Sequence, residues 1–394
     1  MMLFAPFFHA FLILSLAVWP FDKDKKDVEI KKIELDLPAR PQDFQTMRVS
    51  VLEGVTAFTL ATDNRFHIED KLGQPLLHGE RIVATPIKPN DRGLQVGLQT
   101  FREHPIRITS GAIQVDNRVY RDKVTVSVLS QNKLRVVNEL GLDDYLRGVL
   151  PWEANPVWPL EALKAQAVAS RTFAFFKAVE RQQAEYHLGS TVMSQVYKGK
   201  GIEKPQTDTA IAATKGEILI YHGKIFSAYF HSTCGGRTTD AATVWPVEAV
   251  PVLKGVSCEF CQGSKHYRWH ARYEASEIRS IINAKGYQMG PIDQIKIAET
   301  DKSGRATALT VHSGSQKLKL NANDLRIWLG PGRFKSTFLD SIHQQGSVFS
   351  FFGRGWGHGV GMCQYGMKRL AELGYDYKQI LEFYYPGAQI RKLE

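Results

Sequence analysis

From about Arg48 to Val137 the sequence breaks into short alternating runs separated by turn residues, among them MRVSVLEG, FTLAT, RIVATPIK, AIQVDNRVY and KVTVSVLS. A period of two suits half-buried strands, and turn signals at intervals of about 8–12 residues suit a sheet-rich domain. The pattern then stops. The stretch from Asp143 to Phe175, DDYLRGVLPWEANPVWPLEALKAQAVASRTFAF, reads as the approach to a helix and the helix itself. Pro159 fits the first helical turn, and Glu161 complements the positive end of the dipole. Leu160, Leu163, Ala167, Ala174 and Ala178 recur at helical spacing and predict a buried stripe, while Lys164 and Arg171 share a face about two turns long. Strands and helices do not alternate regularly along the chain. That disfavours doubly wound and barrel folds and predicts an α+β fold, a β-rich N-terminal domain followed by a mixed helix and sheet domain.

At 394 residues the chain has room for two or three domains. Residues 1–22 carry an apolar run, Leu3 to Trp19, closed by Pro20 and the charged DKDKK segment. The run reads as an export signal or N-terminal anchor, so the protein is expected to leave the cytoplasm, touching the membrane only through this segment. Residues 23–46, charged and proline-containing, read as a tether. The β-rich domain is expected over 47–140 and the mixed domain over 141–394. A formal charge of +10 favours an anionic partner. The basic residues are spread out, with no Lys/Arg-dense block of the kind that marks a nucleic-acid footprint, so nucleic acid is not expected as partner.

Three constellations carry chemistry. In the first, Glu153 lies between Trp152 and Trp158, just before the helix. A carboxyl crowded by apolar rings loses solvation, which raises its pKa and suits it to general acid work near neutral pH. The second is HSTC and CEFC, which hold His231, Cys234, Cys258 and Cys261. Two cysteines separated by two residues chelate one metal readily, and the HxxC pair supplies the remaining corners of a tetrahedron. This set predicts a structural zinc, since four protein ligands leave no open position; His266 and His270 are alternatives to His231. A redox pair and a Cys258–Cys261 disulfide compete with that reading. The third is GRGWGHGVGMCQYG, Gly353 to Gly366. It lacks the features of a Walker or dinucleotide loop and instead presents His358, Gln364 and Tyr365 to a cleft. Cys363 has no obvious base beside it and is not read as a nucleophile.

DYLRGVLPWEANPVWPLEALKAQAVASRTFAF, AYFHSTCGGRT with VWP, GRGWGHGVGMCQYG and YYPG stand in an order that resembles the stage II sporulation protein D family of peptidoglycan lytic transglycosylases. The resemblance covers nearly everything from about residue 48 onward and makes 141–394 the expected catalytic domain. It implies a substrate of glycan from which stem peptides have been removed, cleaved at MurNAc–GlcNAc linkages to leave 1,6-anhydro ends. Glu153 occupies the position of the family's catalytic glutamate, acting as acid and then as base. Lys164, Arg171, His358, Gln364 and Tyr365 are the expected substrate contacts. Some relatives enhance a separate cell-wall amidase, so an amidase is a possible partner and a non-catalytic wall-binding role is the alternative. Where family members commonly read Glu-Met-Pro, this chain reads Glu153-Ala154-Asn155, with Pro156 one place later, and Cys363 stands where Ser is usual.

Overall fold

The computed structural model describes residues 30–44, 46–102, 104–191 and 194–393. The segment expected to be a signal or anchor lies outside them. Among the described residues no helix is long and apolar enough to cross a membrane.

The fold is α+β, as expected. Two sheets build the N-terminal part. One runs, in spatial order, Leu188–Gly189, Thr46–Val55, Lys133–Gly141, Lys123–Leu129, Ile106–Thr109, Phe66–Glu69 and Pro75–Gly79; the other runs Arg118–Tyr120, Ile113–Val115, Phe58–Thr62, Thr85–Asn90, Gly93–Val96 and Gln99–Phe101. Leu188–Gly189 pairs parallel to Thr46–Val55, and the other pairings are antiparallel. Inward residues such as Val49, Leu60, Ile87, Ile106, Val126 and Val136 are buried in one shared core. Alternation read from the sequence thus becomes two inward faces.

Helices α1 (Leu142–Arg147), α2 (Leu150–Glu153) and α3 (Leu160–Glu180) follow the last strand of that sheet. Helix α3 differs from the expected one-sided stripe. From Ala162 to Ala178 every residue except Lys164 and Lys177 is buried, whereas Leu160, assigned to the stripe, is 42% exposed. A helix buried all round belongs to the middle of a structure. Leu163, Ala167, Phe173 and Ala174 join the N-terminal core, while Ala162, Ala165, Val168 and Ala169 join a second core with Cys234, Cys258, Cys261, Cys363 and Tyr384.

That second core is roofed by a four-stranded sheet ordered Glu34–Asp36, Lys224–Phe226, Glu217–Tyr221 and Gln389–Lys392. The expected tether is therefore not free along its whole length: Glu34–Asp36 pairs antiparallel with Lys224–Phe226, and Ile33 is buried. The alternation of Ile33, Leu35 and Leu37 is the strand signal in this segment, set among charged residues that made it read as a tether.

Residues 268–354 enclose a third core, with Tyr273, Ile278, Leu309, Phe334 and Phe351 at its centre. It is built from one sheet ordered Arg268–Glu274, Val348–Arg354 and Leu339–Gln345, and another of Gln294–Thr300, Ala306–Ser313 and Gln316–Asn321, with helices Ala275–Asn283 and Ala322–Trp328. The stretch 141–394 thus holds two cores, the third inserted between the HSTC segment and the glycine-rich loop.

Candidate functional site

Glu153 ends α2. Its own amide N–H donates to the carbonyl of Val149, and the turn that follows is tied down by Ala154 N–H to Leu150 O, Trp158 N–H to Asn155 O and Val157 N–H to the Asn155 side chain. The Ala154-Asn155-Pro156 departure is thus accommodated in a closed, hydrogen-bonded turn with Ala154 buried. The Glu153 carboxylate Oε1 accepts from the Val196 amide at 3.2 Å. Gln364 Nε2 donates to the Glu153 backbone carbonyl at 3.0 Å and to Gln166 Oε1 on α3 at 3.3 Å. Burial raises the Glu153 pKa above the usual carboxyl range, while the Val196 amide and the Gln364 side chain pull in the opposite direction. Trp152 is 58% exposed and lies under the Lys198 ammonium, and Trp158 packs edge-on against Tyr365 at 5.4 Å. Beside the acid, Tyr145 donates to Gln195 Oε1 at 2.9 Å, and the Glu153 charge helps to raise the Tyr145 pKa.

The glycine-rich loop is held against the HSTC segment by a parallel pairing of Phe230–His231 with Met362–Cys363. Gly355 (φ +79°) and Gly357 (φ +116°) make this approach possible, because a Cβ at either would lie 2.5 Å from Thr233 O or 2.7 Å from His231 Cβ. The loop places Gln364 beside Glu153, and it places His358 on a cavity of about 130 Å³ shared with Phe173, Gln195, Tyr229 and Trp245. Burial holds His358 well below its usual pKa and His231 at about 3, with nearby arginines adding to both, so each imidazole is neutral at physiological pH. Tyr365 lies between Trp158 and a wider recess of about 550 Å³ lined by Phe260, Ser264, Lys368 and Arg369. Of these three loop residues, Gln364 touches Glu153 directly, while His358 lines the small cavity and Tyr365 the wider recess.

Arg171 and Lys164 do not join them. Arg171 is fully buried, paired with Asp143 at 2.8 Å and bonded to the carbonyls of Ile211 and Glu217. It ties α3 to α1 and to the following segment, and no substrate can reach it. Lys164 pairs with Glu161 and covers the Tyr377 ring at 5.6 Å. At about 100° per residue it lies roughly opposite Gln166, which marks the side of α3 facing Glu153. Both were read as substrate contacts because charge on a helix face looks solvent-facing in one dimension. Arg171→Met is expected to lower the unfolding free energy by about 3–5 kcal/mol, since it strands Asp143 and two carbonyls. A urea titration reads this loss; an unchanged midpoint with weakened glycan binding would restore the substrate role.

The metal-ligand set also differs from the one expected. The sulfurs of Cys234, Cys258, Cys261 and Cys363 all lie within 4.8 Å of one another, and all four are buried free thiols. His231 is not among them: its Nδ1 bonds to Val360 O at 3.0 Å, and Nε2 is buried without a partner. His266 packs on Trp356 and His270 on Phe352, so neither replaces it. The β pairing that brings Cys363 beside His231 turns the thiol, and not the imidazole, toward Cys234. Four thiolates around zinc at about 2.3 Å stand about 3.8 Å apart, close to the observed grouping, so the donor set fits a tetrahedral metal. The surroundings fit too. The Cys234 amide points at Cys363 Sγ at 3.2 Å, Tyr384 Oη lies 3.2 Å from Cys258 Sγ, and buried Arg305 donates to the Cys234 carbonyl, placing a cation beside sulfur charge.

A model described as Stage II sporulation protein matches residues 130–221, which span α1 to α3 and Glu153. The chain is 32% identical to the Stage II sporulation protein D of Bacillus subtilis over 273 residues, covering 66% of this chain and 76% of that protein. It belongs to the stage II sporulation protein D family. An uncharacterized protein of Brachyspira hyodysenteriae is 37% identical over 65% of this chain and 68% of its own length. A Bacillus subtilis protein named Amidase enhancer is 30% identical, and the match spans only 40% of it. A domain of unknown function matches residues 252–361, which takes in the inserted core and the CEFC segment of this family member.

Proposed function

We propose that the protein is a lytic transglycosylase acting outside the cytoplasm on peptidoglycan strands already freed of their stem peptides. The observation that carries the reading is Glu153: a half-buried carboxyl, pKa raised by burial, held by the Val196 amide and by Gln364 of the glycine-rich loop. Protonated, it delivers its proton to the glycosidic oxygen as the C1–O bond breaks. As carboxylate, it then takes the proton of the C6 hydroxyl while O6 closes on C1. The nucleophile belongs to the sugar, so the second carboxylate of ordinary glycosidases is not needed. The groups that set the Glu153 pKa accordingly include no neighbouring acid. Tyr365 and Trp158 offer ring faces to the sugars, and neutral His358 offers a hydrogen-bonding edge in the small cavity. The four-cysteine site is proposed to hold a structural zinc that fixes the HSTC, CEFC and glycine-rich segments together, with no open position for chemistry.

The test is digestion of amidase-treated sacculi by the protein lacking its first residues, with 1,6-anhydro ends read by mass. The alternative, a wall-binding enhancer of an amidase, rests on the relative that bears that name. It predicts amidase stimulation indifferent to Glu153. Gln364 supplies a further check as a positioning residue. Its side chain favours ionised Glu153, so Gln364→Leu is expected to move the basic limb of the pH–rate profile upward and to lower kcat by up to about 10²-fold through misplacement. A profile that stays in place would contradict this role.

A further inference from the structure

The inserted core turns one sheet face to solvent, and that face is neither bland nor acidic. Along the central pairing, Arg268 stands opposite Arg354, His270 opposite Phe352, and Arg272 opposite Ser350. Arg268, His270 and Arg272 are exposed, alternating with buried Trp269, Ala271 and Tyr273. Phe352, 38% exposed, stacks on His270 with ring centres 4.5 Å apart and planes 18° from parallel, and His343 on the third strand closes on its edge at 5.5 Å. His343 also bonds Ser341 at 2.9 Å. The acids at this face are engaged: Asp340 pairs with Arg354, and Glu274 accepts from Ser347. Among the described residues Arg268 and Arg272 have no ion-pair partner.

We infer that this face binds an anionic saccharide, a further stretch of the peptide-free glycan strand; the inference rests on the substrate class proposed above. An aromatic platform suits the apolar C–H face of a sugar ring, while the unpaired guanidinium groups on either side suit the lactyl carboxylates that a strand without peptides exposes. From Arg268 to Arg272 the strand rises about 13 Å, long enough to follow more than one sugar. Along the chain the Val348–Arg354 strand runs directly into the loop bearing His358, and the Gly355 amide donates to Tyr267 O. The inserted core thereby extends the strand-binding path beyond Glu153.

The experiment uses the otherwise full chain carrying Glu153→Gln, so that strands are bound and not consumed. Pelleting with peptide-free glycan from amidase-treated sacculi is compared for that protein and for two further variants, Arg268→Ala/Arg272→Ala and Phe352→Leu. The double variant is expected to bind at least about tenfold more weakly and Phe352→Leu several-fold more weakly, with unchanged thermal unfolding. The double variant should bind a neutral β-1,4-linked N-acetylglucosamine polymer as its parent does. Unchanged pelleting, equal loss on the neutral polymer, or loss confined to amidase stimulation would each overturn the inference. Because binding is read without cleavage, failure of the transglycosylase reading is separate: it would show as wild-type protein that binds strands and releases no anhydro ends.

Discussion

With the four-cysteine site proposed above, Cys363→Ala is expected to abolish zinc binding and to lower the unfolding free energy by more than about 4 kcal/mol. Binding energy in a structural site is folding energy, because the unfolded chain does not hold four sulfurs in one place. Here they come from three separate segments, and Cys363 is the sulfur that the glycine-rich loop contributes. Its loss would also leave three buried thiols with their mutual hydrogen bonds rearranged and Arg305 with one sulfur fewer beside it. His231→Ala is the matched control. It removes the imidazole originally expected to be a ligand, and it should keep one zinc per chain by metal analysis, because His231 faces Val360 and not the sulfurs. The opposite result, zinc lost with His231 and kept without Cys363, would contradict the four-cysteine site.

That site shows what was legible in the sequence and what was not. CEFC and HSTC announce a metal by local spacing, so three ligands could be named. The fourth came from a pairing between Phe230–His231 and Met362–Cys363, across more than a hundred residues, and no spacing rule reaches that far. The signal present was arithmetic: the chain has four cysteines and four corners needed filling. Glu153 was legible because its acid, its turn and its helix are contiguous. Its neighbour Val196 was not, since a backbone donor leaves no mark on residue type. Arg171 misled for the converse reason. Burying a guanidinium demands partners, and these lie on α1 and beyond α3, visible only in three dimensions. Strand alternation gave the N-terminal sheets; the separate core of 268–354 stayed hidden because its strands look like those of any mixed domain.

Glu153→Gln is expected to reduce release of anhydro ends by at least about 10²–10⁴-fold, the scale of a lost general acid and base. The substitution preserves the site's geometry: an amide oxygen still accepts from Val196, and Gln364 still holds the backbone carbonyl. Its effect on stability should run against its effect on activity. The folded-state pKa of Glu153 is raised, so the folded protein holds this proton more tightly than the unfolded chain does. Its stabilising contribution is fully present below the unfolded carboxyl pKa and is lost as pH rises through the folded one. Above the folded-state pKa an uncharged Gln therefore removes a buried charge, and there Glu153→Gln should melt no lower than wild type.

The most direct measurement is the product mass spectrum from peptide-free glycan strands digested in parallel by wild-type protein and Glu153→Gln at equal concentration. The account predicts fragments ending in 1,6-anhydro sugar from the wild type, and strands left intact by a Glu153→Gln protein that still folds and binds them. Anhydro ends released at the wild-type rate by Glu153→Gln, or reducing ends without the anhydro bridge from the wild type, would contradict it.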